Sequence, residues 1–350
     1  MSSRSVLIVG GTGFLGRRIA EAFAEYGDRV AVLSRGERAS VPDVECLVAD
    51  RHNLAALSGA LRDRTFDVVV DNIAYSSDDV AGVLGILEGR IGHYLMTSSS
   101  AVYADRFVRR PLRESDADLL LRVPVDAPNP FHSRQGHAYA NAKRAAEALL
   151  FEASVQWTVL RPPVILGADD RTRRVWWYVQ RLLDGGPILI PDWGSGRIFQ
   201  VAWADDVARA FCRVAGNASA YGKAYNVAQA EIYTADSWIE ACARVLGVRA
   251  RYAHLPEAEL SAIGLNGYTL PVAGRPFGHV LVDLSALRCD VGFEPHGEDV
   301  WLRRTLSGCA AHPPPGDSAH YEQRQREMLA VQQSPQGGDT PCLARKPTNA

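Results

Sequence analysis

A chain of 350 residues has room for one large α/β domain or two smaller ones. Hydrophobic residues at 47% and charged residues at 22% are ordinary globular values, and a formal charge of −2 supplies no global basic field for nucleic acid. Six cysteines with no C-x-x-C pair argue against a zinc site or a disulfide scaffold. An immediate first strand and the lack of a long apolar run leave no signal peptide or membrane span, so a soluble cytoplasmic protein is expected.

The chain opens on Val6-Leu7-Ile8-Val9, which reads as a buried parallel strand, followed by Gly10-Gly11-Thr12-Gly13-Phe14-Leu15-Gly16 and a helical pattern that stops at Gly27. Gly11, Gly13 and Gly16 fit G-x-G-x-x-G, while Gly10, Gly13 and Gly16 fit the variant G-x-x-G-x-x-G. A Cβ would block both the tight turn and the approach of backbone N–H groups to a pyrophosphate at the positive end of the helix. Residues Gly10 to Gly16 are therefore expected to bind a dinucleotide.

Strand patterns recur at Ser5–Val9, Arg29–Leu33, Val44–Val48, Val68–Asp71, Tyr94–Thr97 and Trp157–Leu160. Helical patterns fall between them at Leu15–Tyr26, Leu54–Arg62, Asp78–Glu88 and His137–Ala153. This βαβ rhythm predicts an α/β protein with a Rossmann-type, doubly wound parallel sheet, whose ligands bind beyond the carboxyl ends of the strands. Val102 to Gly136, with four prolines, reads as a long functional loop. Further helices are expected near Arg173–Leu183, Ala204–Ala215, Ala235–Leu246 and Pro256–Ile263. The expected division is a dinucleotide-binding domain over 1–165, completed by segments near 197–230, and a smaller C-terminal substrate-binding lobe over 166–309. A largely disordered tail, with an exposed helix at His320–Gln333, would occupy 310–350.

Two motifs follow the glycine turn. Ser98-Ser99-Ser100 stands at a strand end, and Tyr139-Ala140-Asn141-Ala142-Lys143 lies on a helix whose periodicity puts Tyr139 and Lys143 on one face. A phenol is a poor acid–base group at neutral pH, and a nearby ammonium favours its phenolate. The same lysine can hold a nicotinamide ribose, and a serine hydroxyl can steady a substrate oxygen. Glycine turn, serine cluster and Tyr/Lys pair in this order resemble the extended short-chain dehydrogenase/reductase family, the NAD(P)-dependent epimerase/dehydratase group, over about residues 5–309. Leu160-Arg161-Pro162-Pro163-Val164-Ile165-Leu166-Gly167 and Val201-Ala202-Trp203-Ala204-Asp205-Asp206-Val207-Ala208 resemble two more of its segments. The resemblance implies Tyr139 as acid/base, Lys143 as its partner and Ser99 as the oxygen-orienting hydroxyl, with Ser98 and Ser100 open by a slip of register. It places Ile73, Ala74, Asp50 and Pro162 along the cofactor cleft, and a homodimer as the assembly. Asp50 reads equally as a strand-end cap.

The second strand ends in Ser34-Arg35 rather than in the carboxylate that binds the ribose of NAD, which favours NADP over NAD. The resemblance implies an acid pair directly after the active-site hydroxyl residue in the family's dehydratases; Ser100-Ala101 stands there, so dehydration is disfavoured. The expected reaction is NADPH-linked reduction of a carbonyl, in a keto-sugar or another small metabolite, with nucleotide-sugar epimerisation as the alternative. Arg106, Arg109, Arg110, Arg113, Arg171, Arg173, Arg174 and Arg197 are candidates for a substrate diphosphate, and Trp176-Trp177-Tyr178 for a stacking wall with at least one ring in the core. Gly194-Ser195-Gly196-Arg197 departs from the family pattern that precedes the following strand. Ser34-Arg35-Gly36 and the run Gly185 to Pro191 resemble a branch that includes chloroplast stem-loop RNA-binding proteins. The charge of −2 and the intact Tyr/Lys/Ser set weigh against nucleic acid as a partner.

Overall fold

A computed structural model describes residues 3–38, 41–106, 108–126, 134–192, 197–264, 281–312 and 318–333. Strands β1 (Ser5–Val9), β2 (Arg29–Ser34), β3 (Glu45–Val48), β4 (Phe66–Asp71), β5 (Ile91–Thr97) and β6 (Trp157–Arg161) alternate with helices α1 (Phe14–Glu25), α2 (Leu54–Ala60), α3 (Ser77–Ile86) and α4 (Arg134–Phe151). Next come β7 (Val164–Leu166), α5 (Arg174–Leu183), β8 (Ile188–Pro191), β9 (Val201–Trp203), α6 (Ala204–Val214) and β10 (Lys223–Asn226). The order closes with α7 (Ala235–Leu246), β11 (Tyr252–Leu255), α8 (Glu257–Ala262), α9 (Ser285–Val291), α10 (Glu298–Ala311) and α11 (Ser318–Gln333). The expected elements are all present, with ends shifted by a few residues.

The central sheet has seven strands in the order β10-β6-β5-β4-β1-β2-β3, and every pairing is parallel. Strand order reverses between β1 and β4, so the loops after these two strands diverge and open a crevice at their carboxyl ends. Alternation along β1 supplies both cores. Val6 and Ile8 pack with Ile19, Phe23, Val207 and Phe211 of α1 and α6. Leu7 and Val9 pack with Leu57, Val80, Val83, Ala146 and Leu150 of α2, α3 and α4.

The chain divides into two compact units, one of Met1–Arg171, Phe199–Ile232 and Phe277–Trp301, the other of Thr172–Ile198, Tyr233–Pro276 and Leu302–Ala350. In the second unit β8 and β11 pair in parallel, and Trp177 and Tyr178 are both buried. Arg181 stacks 3.6 Å from the Trp177 ring and bonds Glu327 of α11 at 2.9 Å. Glu327 also accepts from Arg324, which in turn binds Asp184. α11 is thus not the exposed helix expected over His320–Gln333, because a buried ion pair fastens one of its faces. Residues 334–350 and Gly194–Gly196 lie outside the described residues.

Candidate active site

The crevice floor is built by glycine. Gly10 has φ +84°, a left-handed conformation, and a methyl group added at Gly16 would stand 2.1 Å from the Gly10 carbonyl oxygen. A methyl group on Gly11 would meet Val32 of β2 at 2.7 Å. Gly13 is the N-cap of α1 with no side-chain cap, and no acidic residue stands in that helix's first turn, so its leading N–H groups are offered to an anion. Among the described residues, the close neighbours of a methyl group on Gly13 would be Arg38 Nη1 at 3.4 Å and the Gly10 carbonyl oxygen at 3.8 Å. This is a cradle that side chains would fill, and it fits a dinucleotide pyrophosphate. Thr12, Phe14 and Leu15 complete the turn, with the Phe14 ring beneath Gly167, where a Cβ would meet it at 2.9 Å.

Around the turn, the other expected cofactor residues are placed as follows. Ile73 lies against Gly10, and the Ala74 carbonyl belongs to the loop after β4. Ser34 ends β2 and its hydroxyl accepts from Gly36 N at 3.3 Å. Arg35 is exposed and paired with Glu37 at 2.9 Å, whereas Arg38 reaches over the glycine turn. Asp50 caps the chain after β3 by accepting from His52 N at 2.9 Å. The Pro162 carbonyl accepts from Ser100 N at 2.9 Å, so its backbone bond is to the serine segment.

Tyr139, Lys143 and Ser99 meet at the carboxyl ends of β4 and β5. The Ser99 hydroxyl hydrogen-bonds the Tyr139 phenol and accepts from Ala101 N at 3.1 Å. Ser98 is turned the other way, donating to Glu147. Lys143 Nζ donates to the carbonyls of Ala74 at 2.7 Å and Thr97 at 2.8 Å, and lies 5.8 Å from the centre of the Tyr139 ring. Burial pushes the lysine down to about 8, with the carboxylates of Asp71, Glu147 and Asp79 pulling it up and Arg51 pushing it further down. Tyr139 is pushed up to about 12 by burial, against the Ser99 hydrogen bond. Lys143 is expected to lower the phenol; desolvation of the partly covered ring instead outweighs the groups around it, and the ammonium bonds the carbonyls of Ala74 and Thr97.

Several residues that position this centre were not singled out from the sequence. Arg161 of β6 bonds both oxygens of Glu147 on α4, at 3.0 and 3.2 Å from its Nε, and also the Tyr103 hydroxyl and the Glu114 carbonyl. Arg144 donates to the carbonyls of Val102 and Ala104, and Asn141 exchanges two hydrogen bonds with the Val123 backbone. Behind the β4 loop, Arg51 pairs with Asp71 and Asp79, and the Tyr94 hydroxyl donates to Asp71. Of the loop arginines considered for a diphosphate, Arg106, Arg110 and Arg113 are paired with Asp118, Asp116 and Asp283. The one signal for Glu147 was its spacing, one helical turn beyond Lys143.

The model of the NAD dependent epimerase/dehydratase family matches residues 6–228. The chain belongs to that family. A chloroplast stem-loop binding protein of 41 kDa from Arabidopsis thaliana is 27% identical over 261 residues, covering 70% of this chain and 64% of that protein. The chain therefore spans about 64% of the length of that curated relative. The enzyme WbmH of Bordetella bronchiseptica, solved with NAD+, superposes with a TM-score of 0.65 at 17% identity, over 89% of this chain and 100% of that one. A UDP-glucose 4-epimerase of Thermotoga maritima, solved with UDP-glucose, gives 0.68 at 16% identity, over 87% and 98%. At such identities the likeness concerns the fold. No helix among the described residues is long and apolar enough to cross a membrane.

Proposed function

We propose that this family member transfers a hydride between a nicotinamide dinucleotide and a carbon bearing oxygen, as net NADPH-linked reduction of a small carbonyl compound. The observation that carries the reading is the Ser99–Tyr139–Lys143 arrangement at the carboxyl ends of β4 and β5, beside the glycine turn's crevice. When bound, the nicotinamide supplies the hydride that joins the carbonyl carbon. Tyr139 gives its phenolic proton to the carbonyl oxygen, Ser99 donates a hydrogen bond to the same oxygen, and Lys143 compensates the phenolate that remains. Gly10 to Gly16 would hold the pyrophosphate, and Ile73, Ala74 and Pro162 would line the cleft.

Preference for NADP rests on two arginines beyond β2, Arg35 and Arg38, and on the lack of a carboxylate directly at its end. Asp50, exposed after β3, is assigned the adenine side of the cleft. The second compact unit carries substrate recognition in this reading, and the assembly is a homodimer. A second reading, epimerisation of a nucleotide sugar with a retained cofactor, is favoured by the family and by the epimerase fold neighbours. RNA binding is the reading favoured by the stem-loop binding relative.

The deciding experiment releases any nucleotide carried by the purified protein, then titrates the emptied protein with NADPH and NADH. Weak retention and tighter NADPH binding, lost in Arg38→Ala or Arg35→Ala, support the reductase. Tightly held NAD transfers the assignment to the epimerase, and salt-dependent RNA binding with no dinucleotide affinity ends both.

A further inference from the structure

Tyr75 follows the Ala74 carbonyl that holds Lys143, and its place is set from behind: its own N–H donates to Asp79 at 2.8 Å beside the Ser76–Asp79 capping box of α3. The residue is 54% exposed, so core packing does not account for an aromatic there. Its ring centre is 4.9 Å from Lys143 Nζ, closer than that of Tyr139 at 5.8 Å, and the two rings are 6.4 Å apart at 52°. The ammonium thus has two carbonyl oxygens within hydrogen-bond distance and two phenol rings within about 6 Å of it. Its residue type is informative too. Of the 38 basic side chains other than histidine, three are lysines, Lys143, Lys223 and Lys346. A chain that uses arginine almost everywhere places here the compact cation that fits such a cage.

We propose that Tyr75 is a positioning residue of the catalytic centre: its ring face holds the Lys143 ammonium, as a cation, beneath Tyr139. This rests on the functional reading above and adds a residue to it. The charged groups around Lys143 are Asp71 at the end of β4, Asp79 on α3, Glu147 on α4 and Arg51 after β3. None of these is a ring. Burial acts against the cation, and an electron-rich ring face on an ammonium within about 6 Å acts for it. Tyr75 therefore raises the pH at which the lysine loses its proton.

The test is direct because the lysines are so few. Protein labelled with 13C at lysine Cε gives three resonances, assigned through Lys223→Arg and Lys346→Arg, and the Lys143 midpoint is read by titration. Tyr75→Leu is expected to lower that midpoint by about 0.5 to 1.5 pH units. Tyr75→Phe keeps the ring and leaves the midpoint in place. Lys223, paired with Asp290 at 2.7 Å, serves as the internal control for folding, and Tyr75→Met repeats the test with another ringless side chain. An unmoved midpoint in both ringless variants, or an equal drop in Tyr75→Phe, overturns the proposal. The measurement needs neither cofactor nor substrate. Failure of the protein to bind either dinucleotide would remove the functional reading while leaving the Tyr75 result standing.

Discussion

Replacing Glu147 by leucine should cost the protein more than any exposed ion pair could. Glu147 is fully buried, Arg161 is 1% exposed, and the pair joins α4 to β6 directly behind Ser98. The substitution leaves a buried guanidinium with only the Tyr103 hydroxyl and the Glu114 carbonyl, and leaves the Ser98 hydroxyl without its acceptor. Breaking one side of such a pair costs about 3–5 kcal/mol. In a domain of a few hundred residues this lowers Tm by roughly 6–20 °C. Calorimetry on Glu147→Leu, Arg161→Met and the double variant measures it. The double variant should be more stable than Glu147→Leu alone, since the penalty lies in the stranded cation rather than in the lost attraction. A Glu147→Leu protein melting within about 2 °C of the parent would mean that Arg161 finds water or another partner, and the buried-pair argument would fail. Because Lys143 lies one turn away on the same helix, the variant should also weaken turnover.

Three further outcomes follow from the same geometry. Gly16→Ala places a methyl group 2.1 Å from the Gly10 carbonyl oxygen, so the turn must shift, and fluorescence titration should show NADPH affinity lost. His93 is buried and pushed down to about 4 by desolvation, below its unfolded value near 6.5. The unfolded chain then binds the extra proton between these values, so stability falls by about 3 kcal/mol as pH drops through that window, and urea melts of His93→Phe should lose this slope. Lys143 has its folded value lowered to about 8, so stability rises with pH from about 8 to 10.5. Lys143→Met should therefore match or exceed the parent in urea at pH 7 and fall behind it near pH 10, where the neutral amine still bonds Ala74 and Thr97.

What could be read from the chain was whatever a period or a fixed spacing encodes. The strand–turn–helix at Val6 to Glu25 and the alternation through β6 followed from apolar periodicity, which a two-faced parallel sheet enforces strongly. Tyr139 and Lys143 were legible because a helix converts their spacing into a shared face. Contacts between distant segments were not. Nothing local tells that Arg161 meets Glu147, that Arg38 rather than Arg35 reaches the glycine turn, or that Tyr75 faces Lys143; each depends on how loops close over the sheet. The C-terminal helix misled for a related reason. Arg324 and Glu327 look like solvated charges in the sequence, yet they are buried because each finds an opposite charge across the fold, on Asp184 and Arg181.

The physical tension in this protein centres on Lys143. A lysine that is 1% exposed is unfavourable as a cation, and burial alone would hold it neutral at a lower pH than any neighbour permits. The surrounding carboxylates, the two carbonyl acceptors and the two rings all act in the opposite sense. None of these groups is needed for the sheet to form, since β4 and β5 pair through their backbones whatever stands at their ends. They converge on one ammonium beside one phenol, at the carboxyl ends of β4 and β5. A fold indifferent to that charge has nonetheless assembled its compensation from three separate segments, Asp71–Asp79, Thr97 and α4, against the repulsion of Arg51. Under the proposed function that charge is used, and proton exchange at Tyr139 is the use that its position allows.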